Sequence, residues 1–229
     1  MRNFIAAAIL SLLPFSAFSM ESEGSIELKT EGLYRGELIT SDDLVASGTV
    51  RLSGLFVDGL YVEGSADTLR ADDLDNISLR ARGAVGFVGS LWDLKVDASV
   101  SRMFNPVLES DDYNEVSLEV QSDLGLAGHF DLFGHVSHAF DGVDQWYAGF
   151  GVIGRDLLIE GLSAKAGVNF YHYDRGLTLD DWTRNNVETS LTYRLFDTVD
   201  AFALWSIGHR GVVGQELDNE YLFGVRVNF

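Results

Sequence analysis

The sequence predicts an all-β fold: a closed antiparallel transmembrane β-barrel, twelve strands, behind a cleaved N-terminal signal peptide. Three observations lead there. Apolar and polar residues alternate with period two along almost the whole chain. Tight connections alternate with long polar ones. No segment carries apolar residues at i, i+3, i+4 and i+7, the spacing of an amphipathic helix.

The chain divides into a leader, residues 1–19, and one barrel domain, residues 20–229. Arg2 supplies a positive start, Phe4 to Leu13 an apolar core, and Ala17 and Ser19 the small residues before a cleavage site. Pro14 and the short apolar run argue against a spanning helix.

Twelve strands are expected near 25–34, 44–54, 60–69, 76–86, 91–102, 113–122, 128–138, 145–153, 162–173, 183–194, 199–208 and 219–229. Such lengths suit tilted strands crossing a bilayer. The carboxyl end is the clearest: Tyr221, Phe223, Val225, Val227 and Phe229 share one face, Glu220, Gly224, Arg226 and Asn228 the other. Tight turns are expected at Phe56–Gly59, Phe87–Gly89, Asp123–Gly125, around Arg155–Asp156, and at Phe196–Thr198. An even strand count brings first and last strands together, so the sheet closes and leaves no edge. The apolar face mixes small residues such as Gly48, Ala81 and Ala164 with aromatics, which lipid tolerates better than a packed core does. Trp92, Trp146, Trp182, Tyr34, Tyr113, Tyr193, Tyr221 and Phe229 fall near strand ends, where interfacial girdles belong.

Composition narrows the function. The 229 residues hold 35 acids against 16 bases, a net charge of −19, and no cysteine. Disulfides, thiolate metal sites and a cysteine nucleophile are therefore excluded, and a basic nucleic-acid face is not available. No Walker loop, dinucleotide fingerprint or nucleophile elbow is present, so no cofactor is expected.

Charge is placed unevenly. The expected long loops, 35–43, 70–75, 104–112, 139–145, 174–182 and 209–219, hold sixteen acids against four bases. Among them Asp42, Asp43, Asp72, Asp73, Asp111, Asp112, Asp180 and Asp181 form an acidic mouth that would concentrate cations. The lumen face is nearly balanced, with eleven acids against eight bases. A turn centred on Val57 sets Arg51 opposite Glu63, and a loop centred between Asp72 and Asp73 sets Glu63 opposite Arg82. With Arg80, Asp93 and Lys95 these residues make a lumen charge belt, serving wall rigidity, selectivity or both.

The stretch His135-Val136-Ser137-His138 is similar to the His-x-Ser of outer-membrane lipases, which face lipid. Alternation with Phe130, Leu132 and Val136 turns His135 and Ser137 to the lumen instead, which argues against an enzyme. His129, Asp131 and His135 share that face, but no third metal ligand beyond a chance grouping is identifiable.

The amino-terminal third resembles the TorF family of small Gram-negative outer-membrane barrels. The residues are Gly32-Leu33-Tyr34-Arg35-Gly36, Thr40-Ser41-Asp42, and Ser53-Gly54-Leu55 through Gly59-Leu60-Tyr61-Val62-Glu63-Gly64-Ser65. Weaker likeness continues through Asp111–Glu115 and Asp144–Tyr147. The hairpin departs at Phe56-Val57-Asp58, and the first loop lacks the family's usual Gln and Pro. The resemblance implies a porin in the outer membrane of a diderm bacterium, and it carries no catalytic or binding residue.

The expected function is a narrow, cation-preferring channel for passive diffusion of small solutes. The alternatives are a sealed barrel working through its acidic loops and, further off, a lipid-modifying enzyme. Expected partners are outer-membrane lipid and lipopolysaccharide, the barrel-assembly machinery through the strand ending in Phe229, and small solutes or ions.

Overall fold

A computed structural model describes residues 20–30, 32–34, 37–40, 44–54, 57–70, 77–104, 112–123, 130–141, 144–174, 182–210 and 218–229. The predicted leader, 1–19, lies outside them. Twelve strands close into one antiparallel barrel. They are β1 (Glu21–Lys29), β4 (Val45–Ser53), β5 (Leu60–Arg70), β6 (Ile77–Leu91), β7 (Leu94–Phe104) and β8 (Tyr113–Asp123). The circle continues through β9 (Phe130–Phe140), β10 (Asp144–Gly154), β11 (Leu162–Asp174), β12 (Trp182–Phe196), β13 (Val199–Arg210) and β14 (Asp218–Asn228). A short hairpin, β2 (Gly32–Tyr34) and β3 (Glu37–Thr40), stands apart from the barrel sheet. The expected first strand, 25–34, is therefore split: its barrel part begins at Glu21 and stops at Lys29.

Each strand pairs with its sequence neighbour along the barrel wall, and β1 closes on β14 with Ile26 opposite Val227. The register continues past the ladder to Gly24 and Phe229, which exchange reciprocal backbone hydrogen bonds of 2.9 and 3.0 Å. Gly24 is required there, because a Cβ would stand 2.7 Å from the Phe229 ring. Every barrel strand thus has two neighbours, and its backbone groups are satisfied without water.

The outer face is apolar and open. Val100 on β7, Phe150 on β10, Phe170 on β11 and Phe223 on β14 all point outward, and Phe150 is 60% exposed. Phe150 stacks on Phe170 and Trp205 on Tyr221. A closed sheet wearing an apolar outer face is the solution for crossing a bilayer with strands. Among the described residues no helix is long and apolar enough to cross one.

Met20 and Phe229, where the described residues start and stop, lie at one end of the barrel, the terminus end, with the turns 57–59, 92–93, 155–161 and 197–198. One turn differs from expectation. Phe87-Val88-Gly89 is not a turn: β6 runs on to Leu91, with Val88 opposite Asp97 and Gly89 opposite Val96. The chain reverses at Trp92–Asp93, where Trp92 takes a left-handed φ of 55°. The longest described connection at this end is held from inside: Arg155 pairs with lumen-facing Asp131, which also accepts from Gln121 at 2.5 Å.

Candidate functional site: a charged barrel lumen

The inner face follows from the registers. Arg51 and Glu63 are direct cross-strand partners. Glu63 Oε2 accepts from Arg51 Nε at 2.9 Å and Nη2 at 2.7 Å. Its other oxygen accepts from Arg82 Nη1 at 2.8 Å. Arg51, Glu63 and Arg82 are therefore brought together as the sequence suggests, although one register step differs. Glu63 faces Ala84, and Arg82 faces Ser65, two residues away from the expected pairing. The loop between β5 and β6 is centred later than Asp72–Asp73, and Arg82 reaches Glu63 along the diagonal that long side chains span.

A second group sits beside this triad. Arg51 lies 4.0 Å over the centroid of the Tyr61 ring, and the Tyr61 hydroxyl donates to Asp97 at 2.7 Å. Arg51 is also 3.7 Å from Asp97 and 3.8 Å from Glu23. Tyr61 can lie flat across the wall because its direct partner on β6 is Gly86, where a Cβ would enter the ring. Cation, ring and carboxylates thus fix one another on β4 to β7.

Of the other belt residues, Arg80 faces Asp67 and pairs with it at 3.0 Å. Lys95 points inward near the terminus end, exposed. Asp93 does not join the belt: it is in the Trp92–Asp93 turn, because β6 extends five residues beyond its expected end. Across the closure, Glu27 gathers Arg226 at 2.6 Å and Lys29 at 3.3 Å.

Of the acidic mouth, Asp112 alone is described; it stands 3.8 Å from Arg102. Asp42, Asp43, Asp72, Asp73, Asp111, Asp180 and Asp181 lie outside the described residues, as does His129. His135 and Ser137 face the lumen, and Asp131 is engaged by Arg155 and Gln121 rather than held open for a metal. No group of three or more metal-ligating side chains occurs among the described residues.

Several lumen residues escape period-two reading. Asp200 faces Arg226 and accepts from Asn228 at 2.9 Å. Phe202 and Leu204 follow it inward, and Arg226 lies 5.3 Å over the Phe202 ring. Toward the loop end the inner face is closely covered: Ser206 is 0% and Leu222 3% exposed, and Asn186 donates to Ser206 at 3.0 Å. Nearer the middle a cavity of about 440 Å³ opens against Arg51, Glu63, Arg82, Glu119, Tyr147 and Lys165.

A closed twelve-stranded wall, apolar outside and lined by charge inside, defines a transmembrane β-barrel. Solved structures share this fold at low sequence identity. One is a KdgM porin, TM-score 0.60 and 9% identity, covering 90% of this chain and 99% of that one. The same porin has been solved in complex with disordered oligogalacturonate. The NanC porin matches with TM-score 0.60 and 9% identity over 89% of this chain and 98% of its own. The COG4313 outer membrane channel from Pseudomonas putida F1 matches with TM-score 0.50 and 13% identity, covering 95% and 98%. No family model matches the chain, and no curated protein matches it.

Proposed function

We propose that this protein is an outer-membrane channel for the passive diffusion of small solutes, narrow and cation-preferring. The observation that carries the preference is the state of the lumen arginines. Arg51, Arg82, Arg80 and Arg226 are each held by a carboxylate within 3.0 Å. Their positive charge is largely spent on the wall, while Glu119 and Glu188 have no cationic partner within salt-bridge distance among the described residues. Lys95 and Lys165 stay open too, but acids outnumber bases on the expected inner face, eleven to eight, and the acids of the long loops add to that excess. A lumen tuned for an acidic sugar chain, such as the one named with the KdgM porin, would keep its guanidinium groups open instead. Twelve strands fall between barrels that side chains fill and sixteen-stranded open porins, which fits a narrow passage. The TorF likeness of the first third points to the same class.

The covered inner residues Ser206 and Leu222 favour a second reading, a sealed barrel that acts through its loops. Reversal potential in a potassium chloride gradient tests the first. A cation-favouring sign supports it, and an anion-favouring sign overturns the selectivity. Liposome swelling with sugars of rising size separates channel from sealed barrel.

A further inference from the structure

Two lumen side chains of opposite sign line one cavity without a salt bridge among the described residues. Glu119 on β8 and Lys165 on β11 both face inward, and both are exposed. Glu119 stands four residues from the terminus end of its strand and Lys165 three. Both line the 440 Å³ cavity. Glu119 makes no hydrogen bond or salt bridge among the described residues, and its direct cross-strand partners are Asp97 and His135. The Asp97 carboxylate is already engaged by Tyr61 and Arg51, so two carboxylates are adjacent and the outer one is left to the water. Lys165 stands 4.3 Å over the centroid of the Phe133 ring. Glu188 stands on the next strand, opposite Gly167 and so diagonal to Lys165.

We infer that this cavity is a subsite for a small zwitterion such as an amino acid or a short peptide, with the ammonium group at Glu119 and the carboxylate at Lys165. The inference rests on the reading that solutes enter the lumen. Three features support it. Opposite charges lining one cavity suit a molecule that carries both, and disfavour one that carries either alone at both ends. The volume lies within the roughly 300–1,000 Å³ usual for small-molecule sites. The same cavity is lined by Ser117, Ser137 and Tyr147 on the row next to Glu119, neutral polar groups of the kind that complement a peptide amide. Arg51 and Arg82 do not take the carboxylate role, because Glu63 already holds both.

The test is calorimetry on the detergent-folded full barrel, with glycylglycine as the zwitterion, its N-acetyl form as the anion and its amide as the cation. Glycylglycine is expected to bind more tightly than either capped form. Glu119→Gln should weaken glycylglycine and the amide about tenfold and spare the N-acetyl form. Lys165→Gln should do the reverse. Equal affinity for all three probes, or variants that leave glycylglycine binding unchanged, would overturn the inference. Current recordings on the same preparation separate the two readings. Binding without conductance rejects the channel and keeps the subsite, whereas conductance without discrimination rejects the subsite and keeps the channel.

Discussion

Arg51 and Glu63 face each other across the β4–β5 pair, and Glu63 spends one oxygen on Arg51 while the other takes Arg82 from β6. One carboxylate therefore ties three strands at mid-wall. Its side chain is 13% exposed, so the pair is well shielded from water. Replacing Glu63 by Gln leaves Arg82 without its anion and Arg51 with only the longer contacts to Asp97 and Glu23. The expected loss is about 2 kcal/mol of urea-unfolding free energy in vesicles, the scale of hydrogen bonds to charged groups. Reversal potential should also move toward anions, since the lumen loses one negative charge. Arg51→Gln should cost less, because Glu63 keeps Arg82.

The ring of Tyr61 depends on Gly86. Gly86→Ala pushes a methyl group into the ring and should cost about 1–3 kcal/mol, the usual range for overpacking. In a Tyr61→Ala background the same change should cost little. A double-mutant cycle by denaturant titration reads the coupling directly. Tyr61→Phe keeps the ring and drops the bond to Asp97, with an expected cost near 1 kcal/mol.

The two faces of the wall should respond oppositely to the same charge. Phe150→Arg puts a cation on the lipid face and should destabilise by about 2–4 kcal/mol. Glu119→Arg puts one on the lumen face opposite Asp97, and should fold like the parent. Tryptophan fluorescence during urea unfolding in vesicles compares them. Equal losses would mean that the inner and outer faces are wrongly assigned.

Closure runs through the last residue. Deleting Phe229 removes the reciprocal backbone pair to Gly24 and the ring that covers it. Slower insertion into vesicles is expected, measured by the heat-modifiable shift on gels. We propose that the same strand is what the assembly machinery engages, so the deletion should also lower the yield in cells.

How far the sequence carried this account depended on contrast between the two faces. Along most of β14 and β7 polar and apolar residues alternate, and orientation could be read at once despite inward Leu222 and Met103. The Val57 turn is short, so its centre set the Arg51–Glu63 pairing without error. The β5–β6 loop is longer, and an assumed symmetric centre misplaced Arg82 by two residues. On β13, Ala201, Phe202, Ala203, Leu204 and Trp205 are apolar on both faces, so Asp200 was not recognised as lumen-facing. Phe87-Val88-Gly89 has the composition of a turn, yet hydrogen bonding to β7 carries the strand through it. The engagement of the lumen arginines could not be read from period two alone, because it depends on diagonal reach and on Tyr61 lying across Gly86.

The most direct measurement is single-channel recording of the refolded barrel in planar bilayers, in symmetric potassium chloride and then in a gradient. The account predicts small discrete conductance steps with a cation-favouring reversal potential. A barrel that is folded by its heat-modifiable shift yet never conducts would contradict the channel, and would make the loops its working surface.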